Sequence, residues 1–161
     1  MDQKRAPEKV PVTSEGFVRL KKELEDLVEV KRPEIIFQVA DARSHGDLRE
    51  NAAYDAARQD QAMIEKRIAD LENMLRNVEV VEGAEPGKTD GQIRLGSQVV
   101  VDFGGDEEKY TVVGAIEAKP TMGLISTESP IGKALLGRKA GDKTEVQTPG
   151  GVTTILIKEV S

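Results

Sequence analysis

The 161-residue chain has no cysteine and no tryptophan, and aromatic residues make up only 3% of it. Without thiols it can form no disulfide and no cysteine-ligated metal site, and a cytoplasmic compartment fits. One histidine, His45, excludes a centre built on several imidazoles. So few aromatics leave poor material for one large core. No apolar run reaches the roughly 18 residues that a membrane span needs. The polar start, Met1 to Pro11, lacks the apolar core of a signal peptide. Lys and Arg, 23 in all against 29 acidic residues, are scattered, which speaks against a basic face that holds duplex DNA unaided.

What is present in quantity is charge, 32% of residues, arranged around helical periodicity. Phe17, Leu20, Leu24 and Leu27 alternate steps of three and four. Ile64, Ile68, Leu71, Leu75 and Val78 do the same downstream. Folded antiparallel, Phe17 meets Val78, Leu20 meets Leu75, Leu24 meets Leu71 and Leu27 meets Ile68. All four pairs are symmetric about one point, between Asp47 and Leu48, which predicts an antiparallel helical hairpin. Val39 with Ala56 and Ala42 with Ala53 continue the symmetry with smaller side chains, so the hairpin narrows towards its end. Arms of about 30 residues at about 1.5 Å each predict a rod on the order of 45 Å long.

The first arm is expected from about 14 to 44, after a mobile lead-in over residues 1–12. Thr13 and Ser14 offer capping hydroxyls, and Glu15 suits the first turn. Pro33 lacks the N–H that would bond back to Glu29, so a kink or break is expected near Arg32. Lys31 faces Ile64 where an apolar residue belongs, which weakens the seam there. Gly46 suits a left-handed helix terminator and Asp47 an N-cap, with the second arm from about 48 to 80. Glu82 to Gln92, rich in Gly, Pro and acidic residues, reads as a linker.

Beyond the linker the period becomes that of strands. Ser97–Phe103 and Lys109–Ile116 are β-branched runs around Gly104-Gly105-Asp106, which is a hairpin signal. Met122–Ser126 is a short third strand, and Ser129-Pro130 opens a short helix that Gly137 stops. Lys143–Thr148 and Val152–Val160 flank Pro149-Gly150-Gly151. The expectation is an α+β chain of two parts: residues 1–82 as an antiparallel coiled-coil hairpin, 83–92 as linker, and 93–161 as a five-stranded antiparallel sheet with one short helix.

Three groups of residues could carry chemistry. Asp47 and Glu50, at the hairpin's end, form a D-x-x-E pair that matches a capping box. Two carboxylates three residues apart also share a helix face and could hold a divalent cation together, Mg²⁺ taking one or two protein carboxylates and completing its shell elsewhere. Arg43, Arg49 and Arg58 surround the pair, either as a solvated face or as contacts for phosphate oxygens. Tyr54 could stack on a base or simply pack, and His45 could be a ligand or a turn residue. Ser126, Ser129, Pro130 and Ile131 could cover the sheet or dock a partner. The two glycine-rich turns lack a phosphate-loop pattern.

Arg32-Pro-Glu-Ile-Ile36, Ala42-Arg-Ser-His-Gly-Asp-Leu-Arg-Glu-Asn-Ala52, Tyr54, Ala56-Ala57-Arg58, Ile125-Ser126, Ser129-Pro-Ile131 and Thr148-Pro-Gly-Gly151 come in one order at consistent spacing. With these stretches the chain resembles the GreA/GreB family of bacterial transcript cleavage factors, closer to its GreA side, over nearly its whole length. The resemblance implies that the C-terminal sheet is of FKBP-like fold, without isomerase activity, and docks on RNA polymerase beside its secondary channel. It implies that the hairpin enters the channel and that the chain is an accessory factor, not itself an enzyme, stimulating cleavage of the backtracked RNA 3′ end. By position, Asp47 and Glu50 match the acidic pair that shares a Mg²⁺ with the polymerase. Arg43 and Arg58 match basic positions near the RNA. Ser129, Pro130 and Ile131 match the docking surface. A monomer is expected. Ala53 and Asp55 depart from the family pattern, where an acidic residue and a histidine are common. A channel-binding inhibitor on the same fold, a folding helper and a purely structural coiled coil are the competing readings. Intact Asp47 and Glu50 without further tip carboxylates speak against the first. Only Phe103 and Tyr110 beyond the linker, too few for a proline-binding cup, speak against the second.

Overall fold

A threonine hydroxyl opens the first helix of the computed structural model, which describes residues 9–46, 51–82 and 90–161. The amide of Gly16 donates to Thr13 Oγ1 at 3.0 Å, the capping bond that a threonine before a helix supplies. Contacts gather the chain into two compact units. One is Val18–Arg76; the other combines the chain up to Phe17 with Asn77–Ser161. The division expected from the sequence fell at a linker after residue 82 instead, and residues 83–89 of that linker lie outside the described residues.

The first unit is the helical hairpin. Helix α1 (Ser14–Asp26) leads into one turn of π-helix (Leu27–Lys31), then α2 (Arg32–Ser44); α3 (Ala52–Arg76) is the returning arm. Leu20, Ile35, Ala57, Ile68 and Leu71 are buried along it. The disturbance expected near Arg32 takes a defined form. The Arg32 amide donates to the Leu27 carbonyl, five residues back, which inserts one residue into the helix.

That insertion answers a surplus in the sequence. The apolar seam of the first arm steps 17, 20, 24, 27 and then 35, 39, 42. The step from Leu27 to Ile35 is eight residues where two heptad half-steps need seven. An unbroken α-helix would swing Ile35 off the seam; the π-turn absorbs the extra residue and returns it, so Ile35 is 4% exposed. Pro33, close behind in the first turn of α2, removes the amide that would otherwise bond to Glu29. The register beyond the π-turn shifts accordingly. On the second arm Ala57 is buried and Tyr54 half-buried, while Ala56 and Ala53, the partners expected for Val39 and Ala42, are exposed.

Two ion pairs across the arms bracket the weak level. Arg67 Nε lies 2.7 Å from Glu23 Oε1. Arg32 makes two parallel bonds to Glu65, Nε to Oε1 and Nη2 to Oε2, both at 2.8 Å. An open groove at this level is lined by Leu27, Lys31, Ile35, Met63, Ile64 and Arg67. No helix among the described residues is long and apolar enough to cross a membrane.

In the other unit, β1 (Val10–Thr13) pairs in parallel with β2 (Val78–Val81). Two expectations are corrected here. Residues 10–12 are a strand rather than part of a mobile lead-in. The second arm stops at Arg76, because Val78-Glu-Val-Val81 is a β-branched run that packs better on a pleated surface than in a helix turn. Val78 therefore stands opposite Val10.

The main sheet follows. It contains β3 (Gln98–Asp102), β4 (Glu107–Val113), β5 (Leu124–Ser126), β6 (Lys143–Thr148) and β7 (Gly151–Val160), in the order β5-β4-β3-β7-β6. Helix α4 (Pro130–Leu135) starts at the predicted proline. The sheet is antiparallel except at β5, which runs parallel to β4. The connection between them is long enough for a crossover and contains two 3-10 turns, Ala115–Glu117 and Pro120–Met122. Ile93, Val99, Val101, Val112, Ile125, Leu135, Val146, Ile155 and Ile157 form the core, with Phe103 and Tyr110 packed against it. The two rings meet edge to face, 6.3 Å between centroids. Tyr110 donates to Glu108, and burial, then this carboxylate, pushes its pKa up to about 12. Both aromatic residues are thus taken up in packing, and no proline-binding cup is made from them.

The Arg32 guanidinium, bonded to Glu65, holds that carboxyl below its ordinary value of 4.5. Stability from the pair is therefore complete above that value and lost as pH falls through the lowered one. Helix content of the chain is expected to become less resistant to heat on acidification through this range. Glu65→Gln, compared with wild type by circular dichroism at each pH, should lack this component. An identical acid profile in the variant would refute the assignment.

Candidate functional site

The hairpin's far end is built from the last turn of α2 and the first of α3. At the end of α2, Ser44 Oγ donates to the Asp41 carbonyl at 2.6 Å. His45 Nδ1 lies 2.7 Å from the same oxygen, so His45 is a turn residue engaged with the helix C-terminus. Gly46 follows with a φ of 159°, outside the left-handed helical well that was expected there.

The start of α3 differs from expectation. The helix begins at Ala52, and its N-cap is Asn51, whose Oδ1 accepts the Tyr54 amide at 3.1 Å. Asn51 Nδ2 also reaches across to donate to the Ala42 carbonyl at 2.7 Å. One side chain thus satisfies an orphan amide of α3 and an orphan carbonyl of α2. The sequence reading passed over Asn51 because Asp47, four residues earlier, offered an equally good capping signal. Asp47, Leu48, Arg49 and Glu50, and with them the expected acidic pair and one of the three arginines, lie outside the described residues.

The remaining tip residues can be placed. Arg43 is exposed in the last turn of α2. Arg58 is exposed on α3, and one of its amino groups donates to Gln61 Oε1 at 2.7 Å. Tyr54 is half-buried in the first turn of α3. A groove at this end is lined by Phe37, Ala42, His45, Asn51, Ala53 and Ala57, among others. Among the described residues no group of three or more His, Cys, Asp or Glu side chains is assembled that could hold a metal.

The candidate docking residues are brought together at the start of α4. Ser129 Oγ accepts the Gly132 amide at 3.0 Å and donates to the Ser126 carbonyl at 2.7 Å. Gly132 has no room for a side chain: a Cβ there would lie 1.9 Å from the Ser126 carbonyl oxygen. Ile131 packs partly against the core, and Pro130 is exposed. Ser126, Ser129, Pro130 and Ile131 therefore form one tight corner, with its backbone fixed from inside and its proline facing out.

The described residues thus give a charged helical hairpin as one unit and a small β-containing domain in the other. Family comparison makes this specific. The model described as "Transcription elongation factor, N-terminal" matches residues 10–80, and that described as "Transcription elongation factor, GreA/GreB, C-term" matches residues 88–161. The transcription elongation factor GreA of Thermomicrobium roseum is 51% identical over 158 residues, covering 96% of this chain and 99% of its own. GreA of Bacillus anthracis is 47% identical over 152 residues, covering 93% and 95%. The crystal structure of GreA factor homolog 1 from Thermus thermophilus aligns with 95% of this chain and 99% of its own at 31% identity, with a TM-score of 0.43. The chain belongs to the GreA/GreB transcription elongation factor family.

Asn51 gives this site its first test. Asn51→Ala is expected to cost about 1 to 2 kcal/mol of hairpin stability, from one cap and one cross-arm bond. Asn51→Asp keeps the cap but has no proton for the Ala42 carbonyl, so its cost should be intermediate. Denaturant unfolding and exchange of the Tyr54 amide measure both. Wild-type stability in Asn51→Ala would mean that α3 is capped by another residue.

Proposed function

We propose that this chain binds RNA polymerase, inserts the hairpin tip into the secondary channel and stimulates the polymerase's own Mg²⁺-dependent cleavage of backtracked RNA 3′ ends. The observation that supports it most is the match of both parts of the chain to the transcription elongation factor family. The sequence adds two carboxylates three residues apart, Asp47 and Glu50. Two hard oxygen donors suit a Mg²⁺ whose other ligands come from the polymerase and from RNA phosphate. Once bound, such an ion would assist attack of water on the phosphodiester as one of a pair.

The roles of this chain's residues follow from their chemistry. Asp47 and Glu50 supply the negative charge that recruits the ion. Arg43, Arg49 and Arg58 offer guanidinium groups to phosphate oxygens of the extruded RNA. Tyr54, half-buried, supports the tip more than it presents a stacking face. The corner at Ser126, Ser129, Pro130 and Ile131 is the docking surface, and its internal hydrogen bonds hold the exposed proline in one place.

Replacing Asp47 by Asn and Glu50 by Gln together tests this reading. Amides preserve shape and hydrogen-bonding capacity but are poor ligands for a strongly hydrated Mg²⁺. Helix content, melting and polymerase binding should persist. Cleavage of labelled RNA in a stalled, backtracked complex should fall by roughly a thousandfold, the worth of several kcal/mol of charge stabilisation. Full cleavage by the double variant would remove the pair from the mechanism. Binding of the unaltered chain without any cleavage would point to a channel-blocking regulator instead.

A further inference from the structure

The two grooves between the hairpin's arms are parts of one furrow, since Gln38 and Asp60 line both. Its walls recur at positions 31, 34, 38, 41 and 45 of the first arm and 53, 56, 60, 63 and 67 of the second. Steps of three and four on both walls are those of helix packing, in which side chains of one helix enter the spaces between residues of its neighbours. A furrow walled in this way fits a third helix laid along the two arms.

Its apolar part is exposed. Phe37 is 72% and Met63 64% exposed, and both line the furrow. The seam between the arms is filled by Leu20, Ile35, Ile68 and Leu71, so neither side chain is needed to hold the hairpin together. A single exposed apolar residue needs no explanation, whereas two large ones set in the same groove mark a surface that meets a partner.

The charges of the furrow are unequally paired. Lys31 Nζ lies 3.3 Å from Glu34 Oε2, and Arg67 is engaged by Glu23. Asp60 is exposed and has no charged partner among the described residues. Asp41 Oδ1 has only His45 Nδ1, at 3.8 Å. A surplus of negative charge is left. Arg43 and Arg58 do not line the furrow, so phosphate oxygens meet carboxylates there without a free cation among the described residues, which argues against RNA as the occupant. A second copy of this chain, with its formal net charge of -6, is opposed in the same way.

We propose that the furrow docks an amphipathic helix of RNA polymerase whose apolar face is flanked by Lys or Arg. Binding of a helix in a groove depends on apolar anchors at helical spacing. Phe37 and Met63 meet those anchors, and Asp41 and Asp60 meet the flanking cations. A guanidinium can also lie over the Phe37 ring. This inference rests on the function proposed above and gives the polymerase a point of contact within the hairpin itself.

The test measures binding of the full-length chain to RNA polymerase, with the unaltered chain alongside. Phe37→Ala and Asp60→Lys should each weaken binding roughly tenfold, as the loss of an anchor or the reversal of a contacting charge does. Both side chains are exposed, so melting followed by circular dichroism should match wild type. Ala69→Lys adds the same cation at an exposed position of α3 outside the furrow and should bind as wild type. A photo-reactive benzoyl-phenylalanine in place of Met63 should crosslink to a polymerase subunit. Wild-type affinity in Phe37→Ala and Asp60→Lys overturns the proposal, and so does an equal loss in Ala69→Lys. A loss that follows a lowered melting temperature also overturns it, because these residues would then serve the hairpin alone. Crosslinking from position 63 to RNA, or to a second copy of the chain, identifies a different occupant and has the same effect. Failure of the unaltered chain to bind polymerase overturns the proposed function along with this inference, whereas its binding beside undiminished variants overturns the furrow alone.

Discussion

A carboxylate removed from water must find donors, and in this protein Glu117 finds one three residues away and another 104 residues earlier in the chain. Much of the β-containing unit follows from that requirement. Thr13 must approach closely enough to give both its amide and its hydroxyl, which seats β1 beside β2 and starts α1 at Ser14. Gly16 and Gly114 must stay bare. The turn at Ala115–Glu117 must bend back after β4, and that detour lets β5 return parallel to β4 rather than as a simple hairpin. A bond network of this kind is unforgiving, because each unsatisfied member would leave a buried polar group without water.

The hairpin obeys a different constraint, one of phase. Its seam is made of aliphatic side chains that must recur on one face, and the first arm carries one residue too many between Leu27 and Ile35. The helix accommodates the surplus in one wide turn directly ahead of Pro33. Arg32 and Glu65 then lock the arms just beyond it, and Glu23 and Arg67 just before. The level with the poorest apolar packing is thereby the one with the most specific electrostatics.

The parts of this architecture that repeat were legible in the sequence, and the parts that depend on distant pairing were not. Leu20, Ile68 and Leu71 announced the antiparallel arms because helical periodicity is a local signal. The strands β3, β4, β6 and β7 announced themselves by β-branched runs between glycine-rich turns. Lys31 opposite Ile64 was visible as a defect in the seam, but it was read as a weak contact rather than as one inserted residue, so the tip register came out one position off at Ala56 and Ala53. β1 and β2 are four residues each, and their partners lie far apart in the chain; the β-branched run of β2 follows directly on a helical periodicity that includes Val78 and was absorbed into it. Asn51 was overshadowed by Asp47, an equally good cap. Glu117 sits in no motif at all, and only the fold reveals what it bonds. The acidic pair stands out in the sequence by its three-residue spacing, and the basic residues around it only as charge.

The parallel pairing of β1 with β2 bears on the order in which the chain becomes structured. The hairpin is in effect an insertion: its two arms leave the β-containing unit after Phe17 and return to it at Asn77. During synthesis Val10–Thr13 emerges first, yet it has no partner until Val78–Val81 has been made, and Thr13 has no acceptor until Glu117 follows. Closing so long an unstructured loop would carry a substantial entropic cost. Arms that pack along their own seam shorten that loop, because their two ends are the residues that lead from β1 and into β2. Contacts near in sequence are the least costly to close, and the bond from Thr13 to Glu117, spanning 104 residues, is among the most costly.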